Sequence, residues 1–383
     1  MNLIYLDNAA TTQVAPEVAD AVIRAMREDF GNPSSAHRLG IAASNRIKAA
    51  RALLLDALGD ERGRLGDLVW TSGGTEADAL GVLGAARALS GRGRHVVVTA
   101  IEHPAVLGSA QKLVEEGFDA TVVPVTRDGV ASANAVADAV TDETVLVAAM
   151  LVNNELGTIQ PIAEISAAVK AKRPDIQLHC DAVQGFGKLV VDVRTLGVDT
   201  LAISGHKIAG PKGIGALWIR RGARIAPLWQ GGGQQQGLRS GTENVPGIVG
   251  LACATELSLS DRPAKTARLT ALQVRFEQAL GQSDLGISIH GAGAPRVAHI
   301  TSLALPGLPA EPLLHALEAR GVYVSAGSAC ASKNHGPSHV LAAIGVPVDV
   351  GTLRVSLSTQ TTAAELDEAA RLLVAEARTL RVS

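Results

Sequence analysis

Aromatic side chains are almost missing from this chain: three Trp, two Tyr and four Phe make up 2% of 383 residues. A planar ligand would find few rings of its own kind to stack on, which leaves an imidazole as the natural alternative. Cysteine is nearly as scarce. Cys180, Cys253 and Cys330 are odd in number and lack CxxC spacing, so neither a disulfide framework nor a zinc site is indicated, and no metal is expected. No apolar run approaches the roughly 18 residues of a spanning helix. The start, MNLIYLDNAATT, lacks the basic head and long apolar middle of a secretory leader. An excess of either charge is missing too: 35 Lys and Arg stand against 37 Asp and Glu, which leaves no electrostatic footprint for nucleic acid or an anionic membrane. These absences predict a cytoplasmic protein with no membrane contact and no direct nucleic-acid partner.

What is present is an ordinary globular composition, 47% hydrophobic and 19% charged, in a chain long enough for two domains or one large one. Between about residues 67 and 220, strand-like runs alternate with segments of helical character: LVW, HVVVTA, DATVVPV, TVLVAAML, IQLHC, DTLAIS and ALWIRR. The alternation predicts an α/β fold on a largely parallel sheet. From about 256 the pattern changes to a helix (RLTALQVRFEQAL), weak strands (ISIHG, VAHITSLAL), another helix (AEPLLHALEARG), LRVSLS and a terminal helix. That part reads as a smaller α+β domain.

Ligands of parallel sheets sit beyond the carboxyl ends of the strands, and the segments found there are TSGGTE, EHPAV, NNELGT, DAVQ and SGHK. TSGGTE sets turn glycines before a helix, whose free N–H groups and dipole suit a phosphate. Ser72 or Thr75 as a plain helix cap explains the same residues. Lys207 follows a strand, with small residues on both sides that leave room for a bulky cofactor. A lysine that condenses with a carbonyl needs such access; a surface lysine is the bland alternative. His179 and Asp181 fall on one strand face by their period of two. A carboxylate in so apolar a run needs a partner, either a protonated pyridine nitrogen or a cap or salt bridge. His103 lies on a turn held by Pro104, solvated or stacked on a ring. Cys180 and Cys253 read as core fillers, whereas Cys330, in SAGSACASKN, has nothing apolar around it.

Ten segments, YLDNAATT, GNPSSAH, TSGGTEAD, EHPAV, NNELGTIQPI, HCDAVQ, SGHKIAGPKGIG, RSGTEN, SAGSACAS and LRVSLS, stand in this order over nearly the whole chain. Together they resemble the cysteine desulfurases of the NifS/IscS type. The resemblance implies class V aminotransferase membership and the fold type I architecture of enzymes dependent on pyridoxal 5′-phosphate (PLP). Its large domain, with a mainly parallel seven-stranded sheet, would span residues 15–255. Its smaller α+β domain would comprise residues 1–14 and 256–383 and carry the cysteine loop. Also implied are PLP as cofactor, a homodimer, L-cysteine as the substrate converted to L-alanine, a persulfide on Cys330, and a sulfur-acceptor protein such as an iron–sulfur scaffold.

Carried over residue by residue, the resemblance makes Lys207 the covalent anchor of the cofactor and the group that moves the Cα proton. His103 would stack on the pyridine ring and serve acid–base steps, and Asp181 would pair with its nitrogen. Asn154 and Gln184 would bond the phenolic-oxygen side. Gly74, Thr75, Ser204 and His206 would hold the phosphate, joined by Thr242 of the partner subunit. Arg354 would clamp the substrate carboxylate, and Cys330 would be the nucleophile. Ala326 and Ala331 stand where the family carries hydroxyl residues, and Lys333 and His335 would favour a thiolate. A PLP aminotransferase, or a lyase acting on selenocysteine or another β-substituted amino acid, needs the same cofactor residues and leaves Cys330 idle. A non-catalytic scaffold needs none of them.

Overall fold

The computed structural model describes residues 3–326 and 338–382. After a short strand β1 (Ile4–Tyr5), the chain builds β2 (Gly66–Thr71), β3 (His95–Thr99), β4 (Asp119–Val123), β5 (Thr144–Ala148), β6 (Gln177–Asp181), β7 (Thr200–Ser204) and β8 (Gly215–Arg220). Strands β2 to β8 coincide with the seven strand-like runs of the sequence. They pair in the order β2-β8-β7-β6-β5-β3-β4. Strand β8 is antiparallel to both neighbours, and every other pairing is parallel.

The side-chain period of two splits the sheet's apolar residues between two faces. Val97, Val147, Leu178 and Ile203 join the core beneath helices Arg38–Ala57, Ile162–Lys172 and Val245–Leu259. Val96, Val98, Leu146 and Ala148 join the core beneath helix Pro104–Glu115. Strands β3, β5, β6 and β7 are buried at every position, as a sheet covered on both faces requires. The edge strand β2 is closed by the Gly-rich loop, where Gln235 accepts from the Trp70 N–H at 2.5 Å and donates to the Trp70 carbonyl at 3.0 Å.

A second sheet follows from β9 (Ser288–Ile289), β10 (Ile300–Leu305), β11 (Val322–Tyr323), β12 (Ser325–Ala326) and β13 (Gly351–Ser356). Its order is β12-β13-β10-β9, while β11 pairs in parallel with β1. A separate core of Leu303, Leu305, Leu353 and Val355 lies under helices Arg262–Gly281, Ala310–Ala319 and Ala363–Val382. Among the described residues no helix is long and apolar enough to cross a membrane.

Two local features differ from expectation. The helix after β2 is capped by Gly73 without a side-chain bond, so neither Ser72 nor Thr75 is its cap. Ser72 instead donates its backbone N–H to Glu76 at 2.7 Å, and Thr75 is exposed. A π-turn at Leu80–Gly84 interrupts the same helix. Within it, Gly81 lies so close to His179 that a Cβ would stand 2.3 Å from the imidazole Nδ1.

Candidate active site

Strand β7 delivers Lys207. The strand ends at Ser204, a single 3-10 turn spans Gly205–Lys207, and the Lys207 Nζ donates to the carbonyls of Ala9 at 2.6 Å and Ala10 at 2.7 Å. Strand β6 delivers Asp181 as its last residue, 5% exposed. Burial pushes its carboxyl above the usual carboxylate range, against the pull of His103, the Val183 N–H bond at 2.9 Å and Lys207. His103 is the N-cap of helix Pro104–Glu115, so the turn expected at Pro104 is the start of a helix. Its Nδ1 accepts from the Ala105 N–H at 3.1 Å, which places the proton of the neutral ring on Nε2. Burial lowers its pKa, opposed by Asp181 and assisted by Lys207 and His339. These electrostatic links put Lys207, Asp181 and His103 in one neighbourhood although 104 positions of chain separate the outer two.

Around this trio lie polar atoms that lack partners. Gln184, 3% exposed, donates Nε2 to the Ala9 carbonyl at 2.8 Å, but its Oε1 has no hydrogen-bond partner among the described residues. The same holds for the Oγ of Ser204, 2% exposed. Buried polar atoms left in this way point to a ligand or water that completes them. Gly74 closes the same corner: a Cβ there would stand 2.9 Å from Val183 Cγ2 and 3.5 Å from Ser204 Cβ. His206 bonds Thr11 Oγ1 at 3.2 Å, and burial with the charges of Lys207, Lys212 and Lys188 brings its pKa down to about 4.

Arg354 arrives from the second sheet. It is buried on β13, where Nη1 donates to the Asn154 carbonyl at 3.0 Å and Nη2 to Asp7 Oδ1 at 2.8 Å, while Nε has no partner among the described residues. Asn154 therefore touches Arg354 through its backbone. Strand β12 pairs with β13 beside it, Ser325 facing Arg354 and Ala326 facing Leu353. The Ser338 hydroxyl donates to Glu155 Oε2 at 2.6 Å. Cys330, Ala331, Lys333 and His335 lie outside the described residues. Thr242 is exposed on a loop whose Arg239 is tied to Glu76 at 2.9 Å, and no bond links Thr242 to the trio within the described chain.

Four residues that matter here were not singled out, or were given another place, on sequence grounds. His179 does not serve Asp181: its Nε2 meets Asp78 at 3.2 Å and its Nδ1 meets Thr200 at 2.9 Å, and burial drops its pKa to about 3. Burial and the charges of Asp181 and Glu102 raise Asp78 well above the usual carboxylate range. Glu102 is fully buried and pushed up to about 8; its Oε1 accepts from Thr99 at 2.6 Å and from the Met150 N–H at 2.9 Å. Glu155 is raised to about 7 by burial, with Ser338 and Arg354 acting against the rise. The available signal was an acid beside each motif residue, Glu102 next to His103 and Glu155 next to Asn154.

The chain matches the aminotransferase class-V family over residues 4–369. It is 42% identical over 366 residues to the cysteine desulfurase IscS of Methanosarcina thermophila, covering 95% of this chain and 89% of that one. A solved NifS-like protein superposes with a TM-score of 0.91 at 35% identity, covering 99% of this chain and 100% of the other. A second solved protein, SspA in complex with cysteine, gives a TM-score of 0.81 at 34% identity over 94% of this chain and 99% of its own. With strand ends, trio and relatives in agreement, the chain belongs to the class-V aminotransferase family and, within it, to the cysteine desulfurases of the NifS/IscS type.

Proposed function

We propose that this protein is a homodimeric, cytoplasmic, PLP-dependent enzyme that converts L-cysteine to L-alanine and holds the sulfur as a persulfide on Cys330 for an acceptor protein such as an iron–sulfur scaffold. The observation that carries the reading is the meeting of Lys207, Asp181 and His103 at adjoining strand ends, beside the unpartnered atoms of Ser204 and Gln184. The relative solved with cysteine supports the substrate class. The separate cores support a cofactor domain of residues 15–255 and a smaller domain of residues 1–14 and 256–383, with Ala9, Val297 and Ile300 reaching across to the first core.

The residues fit PLP. Gly74, Thr75, Ser204 and His206 would hold its phosphate together with Thr242 of the partner subunit, and Ser204 Oγ is free to do so. Asp181 would take the pyridine nitrogen, Gln184 and Asn154 the phenolic-oxygen side, His103 the ring face, and Lys207 the covalent bond. When bound, PLP supplies a sink for the electrons released at the substrate Cα, deepened by the Asp181 carboxylate.

The chain's own groups do the rest. Arg354, oriented by Asp7 and the Asn154 carbonyl, binds the substrate carboxylate and still has Nε to offer. Lys207 moves the Cα proton, and neutral His103 with its proton on Nε2 serves as acid or base. The Cys330 thiolate attacks the substrate sulfur. An S–S bond forms as the Cβ–S bond breaks, and the electron pair left on carbon is protonated to give alanine. The net change is enzyme thiol plus cysteine to enzyme persulfide plus alanine.

Incubation with L-cysteine followed by intact-mass analysis and an alanine assay tests the reading. Wild type gains one sulfur on Cys330. Cys330→Ser loses both adduct and alanine while the visible absorbance of bound PLP stays. Alanine formed at the wild-type rate by Cys330→Ser would reassign the protein as a lyase, and absorbance unchanged in Lys207→Ala would remove the cofactor assignment.

A further inference from the structure

Apart from Asp7, the segment YLDNAATT (residues 5–12) supplies no side chain to the reaction proposed above, yet it lies against the turn that carries Lys207. That turn is strained. Ala209, two residues past the lysine, has a φ of 61°, a left-handed conformation that is unfavourable for a residue with a Cβ. Lys207, Ile208 and Ala209 also line a cavity of about 530 Å³, so one side of the turn borders open space and the lysine has room to shift. Something must hold the turn in place.

Thr12 braces it on both sides of the lysine. Its hydroxyl donates to the His206 carbonyl at 2.8 Å, one residue before Lys207, and accepts from the Ala209 N–H at 2.8 Å, two residues after it. The Thr12 N–H bonds the same His206 carbonyl at 2.9 Å, and the Ala15 N–H bonds the Ala209 carbonyl at 3.0 Å. Thr12 is buried, so the loss of its hydroxyl would leave the Ala209 N–H without a ready substitute.

The brace is itself fastened. Thr11 Oγ1 bonds His206 Nδ1 at 3.2 Å, and the Thr11 carbonyl accepts from the Tyr5 hydroxyl at 2.8 Å. The Ala9 N–H donates to Ser356 Oγ at 2.8 Å, and Asn8 Nδ2 to the Ser356 carbonyl at 2.9 Å. Ser356 ends β13, the strand that carries Arg354. One segment therefore holds Lys207 at two points: its Nζ through the Ala9 and Ala10 carbonyls, and its backbone through Thr12. A group that must reach both a cofactor and a substrate Cα loses rate steeply when its anchor drifts by an ångström.

We propose that Thr12 is a positioning residue for Lys207, its hydroxyl holding the strained His206–Ala209 turn so that the lysine meets cofactor and substrate in one geometry. The inference rests on the functional reading above. The test compares full-length Thr12→Val, which keeps the shape and removes the hydroxyl, with Thr12→Ser, which keeps the hydroxyl. Two quantities are read: kcat per bound PLP, and the rate at which the cofactor-free chain takes up PLP, followed by the visible absorbance that Lys207→Ala lacks. Thr12→Val is expected to lower kcat about 10–100-fold and to slow uptake about tenfold or more, while KM for cysteine stays within about threefold. Thr12→Ser is expected to restore both to within about threefold of wild type. Leu366→Ala removes packing from the second-sheet core and no bond of this turn, so it is expected to lose stability and keep kcat per bound PLP. If Thr12→Val does not fold, the same substitution is made with Ala209→Gly, because glycine accepts left-handed backbone without a Cβ clash. There kcat is expected to fall at least about threefold relative to Ala209→Gly alone. Control-level kcat and uptake in the folded valine variant, an equal loss in Thr12→Ser, or an equal loss in Leu366→Ala would each overturn this inference alone. Absorbance that Lys207→Ala leaves unchanged would instead overturn the functional reading, and the inference with it.

Discussion

Arg354, near the end of the chain, donates its Nη2 to the carboxylate of Asp7, near the beginning, at 2.8 Å. The arginine side chain is 6% exposed and the aspartate 21%, so the pair is mostly withdrawn from water. Asp7→Asn removes the carboxylate bonded to the guanidinium and leaves its bond to the Asn154 carbonyl. The expected loss of unfolding free energy is about 1–3 kcal/mol by denaturant titration, below the full cost of breaking a deeply buried pair because Asp7 is partly hydrated. Arg354→Lys keeps the charge and loses the fork, and is expected to raise KM for cysteine roughly tenfold or more with bound-PLP absorbance intact.

His103 caps a helix and offers a proton from one ring. Asparagine is a good N-cap and no acid–base catalyst at neutral pH. His103→Asn is therefore expected to retain thermal stability and PLP while the turnover number falls about 10²–10⁴-fold. Because burial lowers the His103 pKa, the wild-type ring stays neutral to more acidic pH than a free histidine. An activity limb set by this group should accordingly fall below pH 6.5 and be missing from the His103→Asn profile.

Glu102 gives a pH dependence of stability. Its folded pKa of about 8 lies above the ordinary 4.5, so between those values the folded state binds the extra proton. This contribution is complete below pH 4.5 and is lost as pH rises through 8, at about 1.4 kcal/mol per pH unit within the window. Glu102→Gln cannot ionise. Urea titrations from pH 6 to 9 should show a shallower decline for Glu102→Gln than for wild type; equal slopes would refute this source.

Gly81→Ala tests the π-turn. Its new methyl would stand 2.3 Å from His179 Nδ1, and the imidazole cannot swing away because Thr200 and Asp78 hold both of its nitrogens. The expected penalty is about 1–3 kcal/mol in denaturant titration.

Much of the fold was legible because β3, β5, β6 and β7 are buried at every position and so read as compact apolar runs. Of the four two-residue strands, only β9 lay in a run read as a strand; β1, β11 and β12 were not read, since so short a stretch has no period of its own and exists only through its partner. The trio was legible because motifs at strand ends must converge in a parallel sheet. The roles of the N-terminal segment were hidden for the opposite reason: Ala9 and Ala10 act through backbone carbonyls, which residue type does not betray. Asp78, Glu102 and Lys188 look like surface charges until the tertiary packing shuts water out.

The tie between the chain's two ends also has a consequence for the order of folding. Asp7 bonds Arg354, and Leu6 and Asn8 both bond Ser356, so the segment just after the first strand is locked by residues made some 347 positions later. During synthesis the sheet from β2 to β8 can form, and take up Ala9 and Ala10 at Lys207, while residues 4–8 wait for the second sheet. Because closing so long a loop is slow, the last kinetic phase of maturation should be the docking of that end, after most helical signal has already appeared.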